Sequence, residues 1–312
     1  MEKIYALIVT YNRKEYLSKL LSALDSQTKQ IDSIIIVDNC SNDGTLEYLI
    51  DQAVIQNYIV DETVKNTWNN KSIIYYRSSK NTGGSGGFSQ GTKIALQYQF
   101  DYLWIMDDDV LPTSNCLENL IKEIDEDHQV CIPNRTTESF KDRPVMKFNW
   151  NNIRKNCSVK KYNDNYKTNQ KLEVCDFPFE GPLLTHKLLS KIGNSDSKFF
   201  IFYDDSDYAQ KCLKYTKIYF VGEAILHKQI LPAAYDGKFT WRNYYFIRND
   251  FYFDKRYNKN KLIPYLRAIM LLLINILGSI KHGNFIRLKY SIKAFNDALF
   301  NKMGKTVEPG SF

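Results

Sequence analysis

Trp104-Ile105-Met106-Asp107-Asp108-Asp109 carries an apolar strand directly into three consecutive carboxylates. Adjacent acids repel one another unless a cation sits among them, so a buried strand ending this way points to a divalent metal site. Asp107 and Asp109 have the i, i+2 spacing that sets both side chains on one face of an extended segment. Hard oxygen ligands favour Mg2+ or Mn2+, and such an ion usually arrives with a diphosphate. The triplet also reads as a solvated turn before a helix, with Thr113 and Ser114 as its caps, so the remaining sequence has to decide.

On the N-terminal side, apolar β-rich runs at residues 4–9, 31–37, 73–76 and 102–106 alternate with helical patterns at 14–24, 45–51 and 89–98. Strands alternating with helices predict an α/β fold built on a mostly parallel sheet flanked by helices. Sites in such sheets collect at the carboxyl ends of the strands. Thr10-Tyr11-Asn12-Arg13, Asp38-Asn39, Asn81 onward and Asp107-Asp108-Asp109 all fall there, and together they predict one crevice.

On the C-terminal side, residues 134–171 are polar, Asn- and Lys-rich, and read as a long insertion over the sheet. Structure resumes with a strand at 174–179 and a helix at 185–192. A short aromatic strand at 199–203 then leads into a helix reaching about 215, and a further strand follows at 217–221. From 239 onward the pattern is helical. This places a boundary near 236, with residues 1–236 as the sheet domain and 237–312 as a basic helical region.

The chain has 312 residues, 44% hydrophobic and 14% aromatic, enough for a full globular core and unlike a disordered or fibrous chain. Its six cysteines are scattered without a C-x-x-C pair, and Met1-Glu2-Lys3-Ile4 enters a strand without a secretory apolar stretch. A reduced, cytoplasmic setting is expected. Between Lys238 and Lys305 fourteen Lys and Arg face three Asp and Glu, whereas the rest of the chain carries 28 against 32. A basic end on a near-neutral body calls for an anionic surface, and no nucleic-acid recognition motif accompanies the charge.

Three further clusters carry chemistry. Asn81-Thr82-Gly83-Gly84-Ser85-Gly86-Gly87-Phe88 reads as a glycine-dense loop whose backbone N–H groups suit phosphate or sugar oxygens, without the ending of a P-loop or the spacing of a dinucleotide fold. Asp204-Asp205-Ser206-Asp207 starts a helix, where an Asp serves as a cap or, in an aromatic mouth, as a general base. His227 is one of only four histidines; a lone histidine is more often a satisfied core or surface group than a ligand, but an imidazole here would complete a metal set with Asp107 and Asp109.

In order along the chain, Ile8-Val9-Thr10-Tyr11-Asn12-Arg13, Val37-Asp38-Asn39-Cys40-Ser41-Asn42-Asp43-Gly44-Thr45, the glycine run, Asp107-Asp108-Asp109 and Tyr203-Asp204-Asp205-Ser206-Asp207-Tyr208 resemble family 2 glycosyltransferases of the GT-A fold. Within that family the pattern is most similar to bacterial galactofuranosyltransferases, with rhamnosyltransferases near. The resemblance implies a UDP-sugar donor, held by Thr10, Arg13, Asp38, Asn81, Gly84 and Gly86, with Asp108 toward the sugar. It implies Mn2+ or Mg2+ on Asp107, Asp109 and His227, a base at Asp205 or its neighbour Asp204, and acceptor contacts at Phe179 and Glu180. At Phe177-Pro178-Phe179-Glu180-Gly181-Pro182 the chain lacks the tryptophan pair of the galactofuranosyltransferase acceptor pocket.

The reading is therefore a metal-dependent, inverting transfer of galactofuranose from UDP-galactofuranose to a cell-surface glycan acceptor, capsule or O-antigen, probed against dTDP-rhamnose transfer and against a non-catalytic nucleotide-sugar-binding scaffold. In Trp241-Arg242-Asn243-Tyr244-Tyr245-Phe246-Ile247-Arg248-Asn249, Arg248 is placed to reach the donor phosphates or to lie on a solvated face. Residues 262–280 are apolar but interrupted by Arg267, Asn275 and Gly278. With Lys255, Arg256, Lys259, Lys261, Lys281, Arg287, Lys289 and Lys293 around them, they read as an anchor at the inner membrane face for a lipid-linked acceptor, with a buried helix or homo-oligomer contact as the other reading.

Overall fold

The computed structural model describes residues 2–154, 157–159, 172–230 and 238–312. The strands are β1 (Ile4–Thr10), β2 (Ser33–Asp38), β3 (Thr63–Trp68), β4 (Lys71–Arg77), β5 (Tyr102–Asp107), β6 (Val110–Pro112), β7 (Val130–Arg135), β8 (Val145–Phe148), β9 (Cys157–Val159), β10 (Leu172–Val174), β11 (Glu180–Thr185) and β12 (Ile218–Lys228). The helices are α1 (Lys14–Asp25), α2 (Thr45–Asp51), α3 (Gly83–Ala95), α4 (Cys116–Ile121), α5 (His186–Ile192), α6 (Asp204–Cys212), α7 (Trp241–Tyr257), α8 (Ile263–Lys281) and α9 (Phe285–Leu299).

A ten-stranded sheet runs β10-β12-β7-β11-β5-β1-β2-β4-β3, with β6 on β12. The expected parallel sheet is its β5-β1-β2-β4 half. Across β5 the sheet turns mixed, because β11 lies antiparallel to both β5 and β7 while β7 and β12 pair in parallel. On β1, Ile4, Ala6 and Ile8 pack with Leu17, Leu20, Leu21 and Leu24 of α1, whereas Tyr5, Leu7 and Val9 pack with Phe88, Ile94 and Ala95 of α3. Both faces are covered, which is why these strands read as unbroken apolar runs.

Four expectations change. The glycine run is not a loop but the first turns of α3: a Cβ on Gly87 would overlap Val9 and one on Gly91 would overlap Leu7, so glycines spaced four apart let the helix lie close on β1. The insertion carries a small β8-β9 hairpin, and its residues 155–156 and 160–171 lie outside the described residues. The expected strand at 174–179 divides into β10 and β11 on either side of it.

The fourth change is the aromatic strand at 199–203. It is an irregular loop after a 3-10 turn at Ser197–Phe199, with Phe200, Phe202 and Tyr203 all in the left-handed region at φ 69°, 65° and 69°. Its carbonyls are held from α7. Asn249 Nδ2 donates to the oxygens of Phe199, Ile201 and Phe202, and Arg248 Nη2 to that of Phe199. Aromatic composition favours a strand, but these long-range bonds hold the loop in a conformation that costs about 1–2 kcal/mol per residue.

α7, α8 and α9 pack on one another, and Arg267 fastens α8 to α7 through Asp254. The boundary drawn near 236 falls within 231–237, outside the described residues.

Candidate active site

A cavity of about 500 Å³ opens where β1, β2 and β5 end and α3 begins. Of the residues singled out by sequence, Thr10, Arg13, Asn81, Gly84, Asp107, Asp108, Asp109, Phe179, Glu180, Asp204 and Asp205 line it. The parallel register explains the convergence, since Val9 stands beside Asp107 and Thr10 beside Asp38.

Asp108 is buried and already occupied. It accepts from Thr10 Oγ1 at 2.8 Å and from Arg13 Nη1 at 2.8 Å, so it ties the end of β1 to that of β5 and is not turned outward toward a sugar. Arg13 reaches Asp109 at 3.1 Å as well. Burial raises Asp107 well above the usual carboxylate range, with Asp109 and Asp108 adding repulsion, and burial raises Asp109 despite Arg13. Asp108 is pushed up to about 6 by burial, against the pull of Arg13. Such a strand end gains from a cation, and a guanidinium occupies that role here. The oxygen donors of Asp107 and Asp109 fit a hard divalent ion.

His227 is not brought into the cavity wall, and among the described residues no three His, Cys, Asp or Glu side chains gather into a metal-holding group. Its Nδ1–H donates to the Thr136 carbonyl at 2.7 Å, which leaves Nε2 as the nitrogen with a lone pair. β12 is nonetheless joined to the triplet, because Gln229 N donates to the Asp109 carbonyl at 2.8 Å.

Asp38 is a second displacement. It is wholly buried, accepting from Tyr75 Oη at 3.0 Å, from Ser41 N at 2.8 Å and from Arg77, and it braces β2 against β4. The neighbouring Asn39 lines the cavity instead: its Oδ1 accepts from Thr82 and its Nδ2 donates to the Gly83 carbonyl, which fixes the start of α3. Gly86 is likewise a packing residue, since a Cβ there would overlap Thr82. Gly84 faces open space, and Asn81 caps the turn by accepting from Gly83 N at 2.8 Å.

Across the cavity, the left-handed loop delivers Asp204 and Asp205 at the first turn of α6. Burial and Asp205 raise Asp204 well above the usual range, whereas burial pushes Asp205 to about 6. Asp205 also lines a smaller cavity of about 160 Å³ with Arg135, Arg143, Asp176 and Phe177. Ser206 links two of the three acids of that cavity, its N–H donating to Asp205 Oδ1 at 2.7 Å and its hydroxyl to Asp176 Oδ2 at 2.9 Å. Burial, then Asp205, pushes Asp176 to about 8. Glu180 is engaged by Lys228 at 2.6 Å and Arg135 at 3.0 Å, and Phe179 packs against Phe88.

Sequence reasoning missed Arg242 and left Arg248 open between the donor phosphates and a solvated face. Arg248 is fully buried, donating to carbonyls of Phe199 and Gly304 and to Thr306, so it is a clamp. Arg242 lines the cavity over the rings of Phe202 and Trp241, and burial and then Arg13 weaken its hold on its proton. Two guanidiniums lining one cavity make a site for an anion with more than one charge. The signal was its place at the start of a helix, beside an aromatic residue.

The sequence model described as Glycosyl transferase family 2 matches residues 5–181. Galactofuranosyltransferase GlfT1 of Mycobacterium tuberculosis is 32% identical over 110 residues, 35% of this chain and 31% of that protein. Abequosyltransferase RfbV of Salmonella typhimurium is 33% identical over 130 residues, 41% of this chain and 34% of the relative. The chain thus matches about a third of the length of these curated relatives. Among solved structures, mannosyltransferase PcManGT from Pyrobaculum calidifontis, in complex with GDP-Man and Mn2+, superposes with a TM-score of 0.58 at 16% identity, covering 96% of this chain and 88% of that one. Residues 1–349 of S. aureus TarS superpose at 0.54 with 13% identity, covering 96% and 82%. At these identities the structural matches establish the GT-A fold.

Proposed function

The chain belongs to glycosyltransferase family 2, and from that premise we propose that it transfers galactofuranose from UDP-galactofuranose, with inversion, to a hydroxyl of a cell-surface glycan. The observation that carries the reading is the opposition, across one cavity, of the Asp107-Asp108-Asp109 strand end and the Asp204-Asp205 helix start. The galactofuranosyltransferase relative at 32% identity supports the sugar.

Asp107 and Asp109, the oxygen donors that line the cavity, would hold Mn2+ or Mg2+ without His227; bound there, the ion would neutralise charge on the leaving diphosphate. Arg13 and Arg242 bind the diphosphate oxygens. Asp205 accepts the proton of the acceptor hydroxyl as its oxygen bonds to the anomeric carbon, and the bond from that carbon to the phosphate oxygen breaks to release UDP. One displacement inverts the carbon and requires one base. Asp205 suits the task better than Asp204 because at neutral pH it is mostly ionised. Its second wall, on the smaller cavity, offers an approach for the acceptor. The acceptor we propose is a lipid-linked capsule or O-antigen intermediate, met at the inner membrane face.

UDP release measured with Mn2+, a panel of donors and glycan acceptors tests this. Turnover with UDP-galactofuranose is expected; turnover with dTDP-rhamnose alone would move the sugar assignment, and none with any donor would sink the enzymatic reading. Asp205→Asn separates enzyme from scaffold, with UDP still bound and turnover down about 10²–10⁴-fold.

A further inference from the structure

α8 offers an apolar ridge that is left uncovered among the described residues. Leu262, Leu266, Ile269, Leu273, Leu277 and Ile280 recur at intervals of three and four, which places them on one stripe of the helix. They are exposed, Leu273 at 53%, Leu277 at 66% and Ile280 at 68%, and Phe285 at the start of α9 extends the ridge at 80%. Pro264, Arg267, Ala268 and Ser279 mark the opposite, buried side.

Length does not decide how α8 meets a membrane. At 19 residues it is long and apolar enough to span one, contrary to what its interrupted composition suggests. Arg267 decides. Its guanidinium is buried against the protein, ion-paired to Asp254 of α7 and donating to the carbonyls of Trp150 at 3.2 Å and Asn152 at 2.6 Å. A helix fastened through its second turn to the catalytic body, and packed on α7 and α9, is held against the protein rather than passed through a bilayer, yet its outer face remains free to lie on one.

Charge selects the occupant. Lys259 and Lys261 before α8, Lys281 at its C-terminal end and Lys289 on α9 are exposed around the ridge, in the region with the surplus of eleven positive charges. A second copy of this chain would bring the same cations against them, whereas an anionic lipid surface complements both the ridge and its rim. We propose that the α8 ridge and the start of α9 form a monotopic docking face for an anionic lipid bilayer, entering the interface without spanning it. The proposal is independent of the donor assignment.

Vesicle flotation of the full chain tests it, with phosphatidylcholine alone against phosphatidylcholine containing phosphatidylglycerol. The wild type is expected to float with the anionic vesicles and to be released by high salt. Leu273→Glu/Leu277→Glu should lose at least tenfold in binding while keeping the wild-type circular dichroism, melting temperature and UDP affinity. Lys261→Glu/Lys281→Glu should weaken binding and its salt dependence. A wild type that stays soluble with every vesicle overturns the proposal, as does binding unaffected by the leucine substitutions. So does a dimer, seen by light scattering, that those substitutions dissolve.

Discussion

Asp204 and Asp205 are sequence neighbours that their surroundings separate. Burial and then the Asp205 charge raise Asp204 well above the usual carboxylate range, while burial pushes Asp205 up only to about 6. As the base, Asp205 must be deprotonated, so turnover is expected to rise with pH through about 6 and level off above it; a rate flat between pH 5 and 8 would remove it from the role. Arg242→Ala is expected to weaken UDP about tenfold and leave uridine affinity unchanged, because one charge-assisted contact to the diphosphate is lost. Calorimetric titration of both ligands checks this. The acid clusters were legible because apolar strands and a helix start frame them. Asp38 and Gly86 were misplaced for a different reason: what occupies them is Arg77 and Tyr75 in one case and Thr82 in the other, and such partners are not visible in spacing. Arg242 was passed over because nothing local shows that Phe202 and Arg13 lie across from it.

At the level of elements, β1, β2, β4 and β5 were readable because burial on both faces forces continuous apolar sequence. The loop at 200–203 was not, since its shape comes from Asn249, nearly fifty residues later. Asn249→Ala is therefore expected to leave the Ile201 and Phe202 carbonyls without this donor, Phe199 keeping Arg248, and to lower turnover more than UDP affinity, read by steady-state kinetics beside a UDP titration. The glycines of α3 give a stability test. Gly84→Ala meets open space and should gain up to ~1 kcal/mol from helix propensity. Gly87→Ala pushes against Val9, and urea unfolding should place it about 2 kcal/mol below Gly84→Ala.

For the whole molecule, the cavity draws its wall from both sides of residue 236, since Trp241, Arg242 and Pro309 join the sheet residues. Residues 1–236 as a separate catalytic domain remains our proposal for the origin of the chemistry, but expression of that piece alone is expected to yield no UDP binding by calorimetry. Along α7, Arg242 at the cavity, Asn249 on the base-bearing loop and Asp254 in the Arg267 socket share one 17-residue helix. Twelve residues separate the first from the last, about 18 Å at helical rise. If the α8 ridge docks on lipid as we propose, that interval would work as a gauge: one rigid helix would set the stand-off between bilayer and reaction centre, and a tethered acceptor would be selected by how far its terminal sugar stands from the membrane as well as by what the sugar is.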